Sequence, residues 1–390
     1  MKKKYQKTLL ACYLGFITQA ITANFAPLLF LKFHTQYGIT LGQIALIPTT
    51  FFLTQLLIDI FCARFADFIG YRRSIVISEI TSALGLLGLA FVPDLFANPF
   101  IGILICVVMY AVGSGLIEVL VSPIVEACPF EHKDTVMSLL HSFYCWGAVG
   151  VILGSTLFFT LFGLDNWRIL ACLWALVPLY NIVNFATCPI EPIVADSEGM
   201  SMKELLGKRT FWLFLLLMVA AGASESTMAQ WTSAFAEASL GVDKAVGDLA
   251  GPCGFAFCMG LGRLWYGKKG QKLDLSAYMT GAGVLCFLCY LTASLASLPL
   301  VAFAGCMVSG LAVGIMWPGS ISITSARMPG GGTALFALLA LAGDAGGTLG
   351  PSLVGIFTGS AGNNIQSGLL AASVFPLLLV LSLLFIRRRV

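Results

Sequence analysis

Glu118, His141, Glu225 and Asp344 stand deep inside long apolar runs of the chain. An ionisable side chain costs at least about 2.5 kcal/mol to insert at the centre of a membrane span, so each is expected to face a cavity or a partner. A carboxylate that is shielded from water at one moment and hydrated at the next can carry a proton, which makes Glu118, Glu225 and Asp344 the proton-coupling candidates. Around them in the sequence are groups suited to a small polar molecule: Gln19, Asn24, His141, Tyr144, Trp146, Glu225, Gln230, Trp231 and Trp317. An amide both donates and accepts hydrogen bonds. An indole face packs on the apolar face of a sugar or an aromatic ring, although each of these aromatics reads equally well as core or interfacial packing.

The elements that must hold these residues follow from composition. The 390 residues are 58% hydrophobic and 11% charged, with a mean hydropathy of +0.92. Soluble domains average about 25% charged residues, and here the deficit runs along the whole chain, which excludes an ordinary soluble enzyme. A span takes roughly 20 apolar residues. Twelve segments qualify, at 8–32, 41–63, 74–93, 99–126, 136–161, 168–188, 210–238, 247–266, 275–294, 299–325, 332–359 and 366–386. The expected fold is an all-α integral membrane protein with twelve transmembrane helices in two six-helix bundles, 1–188 and 210–390. The polar stretch 189–209 is a cytoplasmic linker with one short amphipathic helix around Met200 to Leu206. Glu225 lies about fifteen residues into its segment, roughly 22 Å along the helix and close to the midplane. Asp59, Glu79 and Glu126 lie within about two turns of the cytoplasmic ends and read as interfacial. Trp317-Pro318-Gly319 is expected to break the tenth segment.

Lys and Arg are retained on the cytoplasmic side of a membrane. Of the 22 present, only Lys32, Arg168 and Lys244 fall on the outer side when the N-terminus is inside, leaving nineteen within, Arg263 among them. Both termini are therefore expected in the cytoplasm, and the net charge of +3 is a topology signal rather than a nucleic-acid footprint. The twelve cysteines lie in or beside apolar segments, where cysteine acts as a small hydrophobe. No phosphate-binding loop, zinc-ligand spacing or nucleophile elbow is present, so no cofactor or metal is expected. His141 with Ser142 is the nearest approach to a catalytic pair, but adjacent helical residues point about 100° apart. A receptor or scaffold would tolerate loss of the embedded acids and would usually carry a larger soluble region.

The loop between segments 2 and 3 reads Ala63-Arg64-Phe65-Ala66-Asp67-Phe68-Ile69-Gly70-Tyr71-Arg72-Arg73. It resembles the signature of the major facilitator superfamily, matched at Asp67, Gly70 and Arg72, with an echo at Gly267, Gly270 and Lys272 in the second half. The resemblance implies two six-helix halves and gives Asp67, Gly70 and Arg72 a gating role, an acid and a base that lock one conformation and release the other. Segment 4 reads Gly113-Ser114-Gly115-Leu116-Ile117-Glu118-Val119-Leu120-Val121-Ser122-Pro123, and segment 5 reads Leu140-His141-Ser142-Phe143-Tyr144-Cys145-Trp146-Gly147-Ala148. Together they look like the fucose, galactose and glucose proton symporter group of that superfamily. In that group the glutamate of segment 4 takes part in proton coupling or sugar binding, which transfers to Glu118; His141 and Tyr144 stand where a member of the group has polar amides. Segment 1 differs from the group in carrying Thr22, Ala23 and Asn24 where an acidic residue is used.

What the resemblance and the residues imply together is a secondary active transporter, not an enzyme. Its solute is a sugar or sugar-like molecule with a proton as co-substrate, and the chain is expected to work as a monomer among the lipids of the plasma membrane, a bacterial inner membrane. Efflux of drugs or organic anions, or uncoupled uniport, are the alternatives. The Trp, Phe and Met content suits varied apolar ligands, whereas segment 4 lacks an embedded Arg and segment 5 lacks the Gly-Pro pattern of the superfamily's proton antiporters.

Overall fold

A backbone in hydrocarbon has no water to bond, so its N–H and C=O groups must be satisfied within the segment, and helix is the form that does this. The computed structural model describes residues 4–39, 41–191, 200–241, 244–360 and 364–389; within these, the side chains of 31, 41–42, 44–45, 63–68, 233–234, 237–240, 244–250, 299, 359–360 and 388–389 are outside the description. All twelve expected segments lie on helix. In chain order these are α1 (Gln6–Asn24) with α2 (Phe30–Tyr37), α3 (Leu41–Ile69), α4 (Tyr71–Phe91), α5 (Pro99–Ala127), α6 (Lys133–Phe162) and α7 (Trp167–Thr187). After the linker helix α8 (Met202–Gly207) come α9 (Arg209–Leu240), α10 (Lys244–Lys269), α11 (Leu275–Leu295), α12 (Pro299–Val313) with α13 (Met316–Arg327), α14 (Gly332–Ser360), and α15 (Ile365–Ala372) with α16 (Val374–Arg389). Among the described residues ten helical stretches are long and apolar enough to cross a membrane, and Leu46–Cys62 is a shorter apolar stretch inside α3. Large side chains such as Leu57, Val183 and Ile356 are exposed on these helices, the faces expected to meet lipid tails.

Proline explains where segments split. Pro27 opens the 3-10 turn Ala26–Leu29 between α1 and α2. In the tenth segment the interruption falls at Gly314–Ile315, just before the expected Trp317-Pro318-Gly319. Pro318 has no N–H for the carbonyl four residues back, and that carbonyl belongs to Gly314. In the linker, Ser201 Oγ accepts the Glu204 N–H at 3.3 Å while Glu204 Oε2 accepts the Ser201 N–H at 2.7 Å, a reciprocal cap that starts α8. The Ser201 N–H holds the Glu204 carboxyl below the usual carboxylate range.

The backbone groups into two units that interleave in sequence: Met1–Phe130, Trp146–Ser197 and Gly332–Ala337 form one, and Glu131–Cys145, Glu198–Gly331 and Leu338–Val390 the other. In the first unit α5 packs against α1, α3 and α4, and α7 against α1 and α4. Its core includes Phe25, Phe33, Tyr110 and Trp167. Trp167 meets Phe33 edge to face at 5.5 Å and donates its indole N–H to Gln36 Oε1 at 3.1 Å. In the second unit α9 packs against α10, α12 and α16, and α12 also receives α11.

Candidate functional site

In the first unit the chemistry gathers on Glu118. Its position about two-thirds of the way along α5 brings it opposite α1 and α3, each of which contributes one amide. Gln19 Nε2 and Gln55 Nε2 both donate to Glu118 Oε2 at 3.0 Å. Gln55 also donates to Ser114 Oγ at 3.2 Å, one turn before Glu118. Gln19 and Gln55 are buried and Glu118 is partly so, which leaves the carboxylate the accessible member of the group. Asn24, at the end of α1, turns its amide back to the Ala20 carbonyl at 2.9 Å. Trp146 is half-buried on α6.

In the second unit the centre is an arginine. Arg263 on α10 is 3% exposed and donates from all three of its nitrogens. Nη2 reaches Glu225 Oε2 on α9 at 3.0 Å, an ion pair. Nη1 reaches the His141 carbonyl at 3.0 Å and Cys145 Sγ at 3.2 Å, both on α6. Nε reaches the Gly314 carbonyl at 2.9 Å, the one that Pro318 leaves without its helical donor. A single guanidinium therefore ties three helices and satisfies the break between α12 and α13. Tyr144 lies near enough to Arg263 to interact with its charge, and His141 is buried beside it.

Four further expected residues lie elsewhere in the same unit. Trp231 donates its indole N–H to the Pro351 carbonyl at 3.2 Å, and with Gln230, Pro351 and Ser352 it lines a cavity of about 400 Å³. Trp317 packs its ring directly on Gly343 of α14, where any side chain would collide with it. Asp344, the next residue, is half-buried.

The gating residues stand apart from both clusters. Gly70 caps α4 at φ 90°, a conformation that costs glycine little. Arg72 donates to the carbonyls of Phe185 at 2.8 Å, Ala186 at 2.9 Å and Cys188 at 2.8 Å, placing a cation on the C-terminal end of α7. The Asp67 side chain is outside the described residues.

The profile of the Major Facilitator Superfamily matches residues 11–351. The chain belongs to this family. It is a multi-pass membrane transporter and not an enzyme. Among solved structures, the E. coli fucose:proton symporter FucP superposes with a TM-score of 0.82 at 15% identity, covering 98% of this chain and 99% of that one. The proton:xylose symporter XylE matches with a TM-score of 0.74 at 14% identity, over 100% and 96% of the two chains. The human organic anion transporter MFSD10 matches with a TM-score of 0.73 at 16% identity, over 97% and 99%. No curated protein matches in a sequence comparison.

Within this superfamily transporter, sequence reasoning missed the partners rather than the acids. Gln55 went unnoticed in an apolar segment, though an amide there already invites a partner. A place near the end of its segment groups Arg263 with the cytoplasmic charges, whereas in the structure it is buried and paired with Glu225. Glu79 corrects the interfacial reading, being fully buried in the first unit. Asn181 donates to its Oε1 at 2.8 Å and Thr18 to its Oε2 at 3.0 Å, so neighbouring helices replace the water that an interface would supply. Asp59 is likewise buried.

Proposed function

We propose that the chain moves a small uncharged polar solute, sugar-like in its hydroxyl groups, together with a proton. Two six-helix bundles, 1–188 and 210–390, would rock about a central site on either side of the 189–209 linker, exposing it to one side of the membrane and then the other. Both termini would be cytoplasmic, the protein a monomer in the plasma membrane, with Asp67, Gly70 and Arg72 as its gate. The observation that carries this reading is the Glu118 cluster: a carboxylate embedded in a membrane span that accepts hydrogen bonds from two neutral amides. Amides can donate to a charged carboxylate and accept from a protonated one, so the site holds either state without losing its partners. Substrate contacts are assigned to Gln19, Asn24, His141, Tyr144, Trp146, Glu225, Gln230, Trp231 and Trp317. Glu225 and Asp344 are secondary candidates for proton coupling.

A second reading, transport of organic anions, draws on the fold shared with MFSD10 and on the aromatic lining at Trp231. Against it, the buried cation Arg263 is already neutralised by Glu225, and four of its five N–H donors are engaged, which leaves little for an anionic solute. A thermal-shift screen of the purified protein separates the two, because a ligand bound only by the folded state raises its melting temperature. Neutral monosaccharides at 100 times their Kd should add about 2.7 kcal/mol of apparent stability. Shifts produced by organic anions alone would favour the second reading.

A further inference from the structure

Helices α10 and α11 are consecutive and meet at Tyr278, whose ring lies 5.5 Å from that of Trp265 and 4.8 Å from that of Tyr266; beyond that contact each packs on α12. The gap between them is a groove of about 850 Å³, floored by Leu311 and Ala312 of α12 and walled by Leu261 and Trp265 on one side and Tyr278 and Leu285 on the other. The floor is tight: a methyl group on Gly262 would fall 2.6 Å from the Leu311 carbonyl oxygen, so α10 and α12 meet backbone to backbone there. The opposite wall is empty: a methyl on Gly281 would meet nothing within 4 Å. Leu261, Trp265, Leu285 and Leu311 are all exposed, which makes the groove open toward the membrane rather than toward the protein interior.

One end of this groove is polar. Lys268 lines it, and Lys269 and Lys272 follow on the same turn of chain, all three exposed and with no ion-pair partner among the described residues. Trp265 and Tyr278 stack beside Lys268 at 5.5 Å with their planes 22° apart, the amphipathic aromatics that sit at headgroup level. The acids near this end are Asp274, whose Oδ1 accepts the Ala277 N–H at 2.7 Å and caps α11, and Asp134, whose Oδ2 accepts the Tyr266 O–H at 2.7 Å. Three lysines against two aspartates leave the mouth positive. From Ala277 to Leu285 the groove runs about 12 Å along the helix, most of the roughly 15 Å depth of one leaflet's hydrocarbon.

We infer that this groove is a binding site for an anionic phospholipid, whose phosphate lies at Lys268 and whose acyl chain lies over Gly281 between α10 and α11. The chemistry is that of the bilayer itself: an apolar slot at acyl depth and a cationic, aromatic rim at headgroup depth. The site is separate from both carboxylate clusters, so it stands whatever the transported solute proves to be.

Native mass spectrometry of the detergent-purified full chain, titrated with dioleoyl phosphatidylglycerol or dioleoyl phosphatidylcholine, tests it. Phosphatidylglycerol should be retained at least fivefold more tightly than phosphatidylcholine. Lys268→Ala should remove about fivefold of that preference, the effect of one lysine near a lipid phosphate. Gly281→Leu, which fills open space and so leaves the helix unstrained, should abolish the tight adduct, while Val284→Leu on the neighbouring exposed face should leave it unchanged. Equal retention of the two lipids, or a tight adduct that survives in Gly281→Leu, would overturn the inference. So would a loss of dimer rather than of lipid in Gly281→Leu, which would make the groove a contact with a second copy.

Discussion

The two embedded carboxylates Glu118 and Glu225 live in opposite company. Glu118 is held by the amides of Gln19 and Gln55, whereas Glu225 is held by the guanidinium of Arg263. An amide is both donor and acceptor, but a guanidinium only donates and carries a fixed charge. The first environment tolerates a change of protonation; the second depends on the carboxylate staying charged, since a buried arginine without its counter-ion is costly. The contrast separates two tasks that look alike in sequence. Glu118 is suited to exchange a proton, and Glu225 to hold Arg263 against α6 and the α12/α13 break.

The largest expected consequence is in stability. Arg263→Leu should destabilise the protein by about 3 kcal/mol, because Glu225, only partly exposed, loses its counter-ion and the Gly314 carbonyl loses its donor. Glu118→Leu should cost only about 1–3 kcal/mol, the desolvation of amides left without an acceptor. Melting temperatures in detergent compare the two directly, and the double variant Arg263→Leu/Glu225→Leu should recover most of the loss. Equal melting of Arg263→Leu and the parent would remove the distinction.

Next in size is the amide pair. Gln55→Leu deletes one of the two donors to Glu118 Oε2, at about 1–3 kcal/mol. Roughly a tenfold loss in pH-driven uptake is expected, with uncoupled exchange less affected; an unchanged ratio of the two would mean that Gln55 only packs. Smaller again is an effect at the break. Pro318→Ala restores an N–H for the Gly314 carbonyl, so it should relieve about 1 kcal/mol of the Arg263→Leu defect. Absence of any relief, measured as a melting temperature, would show that the break does not depend on that carbonyl.

How far these features could be read from the sequence differs between the clusters. The twelve segments, the linker helix and the embedded acids follow from hydropathy, because a lipid environment leaves few other solutions. Glu118 was legible for the same reason: a charged residue among Leu116, Ile117 and Val119 has no neutral explanation. Its partner Gln55 lies 63 residues away on another helix, and nothing local records that contact. Arg263 was harder still. Its neighbours Leu264, Trp265 and Tyr266 place it at a segment end, where a basic residue ordinarily marks topology, and only the packing of α9 and α10 shows Glu225 against it. Glu79 misled through the same reasoning, since depth along a helix says nothing about which neighbouring helix stands opposite.

The smallest expected effect concerns the linker. The reciprocal cap depresses the Glu204 carboxyl below its ordinary value of 4.5, so the cap's contribution is present above that pH and is lost as pH falls through the depressed value. Glu204→Gln should therefore lower the melting temperature slightly at pH 7, and the difference should vanish in acid. A difference that grew on acidification would contradict the cap.

The central claim is that Glu118 is the primary site of proton exchange, ahead of Glu225. Its most direct test is Glu118→Gln in proteoliposomes, loaded with the solute that raises the melting temperature most and given an imposed pH gradient. Glutamine mimics the protonated acid, so counterflow exchange should persist at near the parental rate while accumulation against a gradient disappears. Accumulation by Glu118→Gln equal to that of the parent would contradict the assignment and reduce the Glu118 cluster to a packing arrangement.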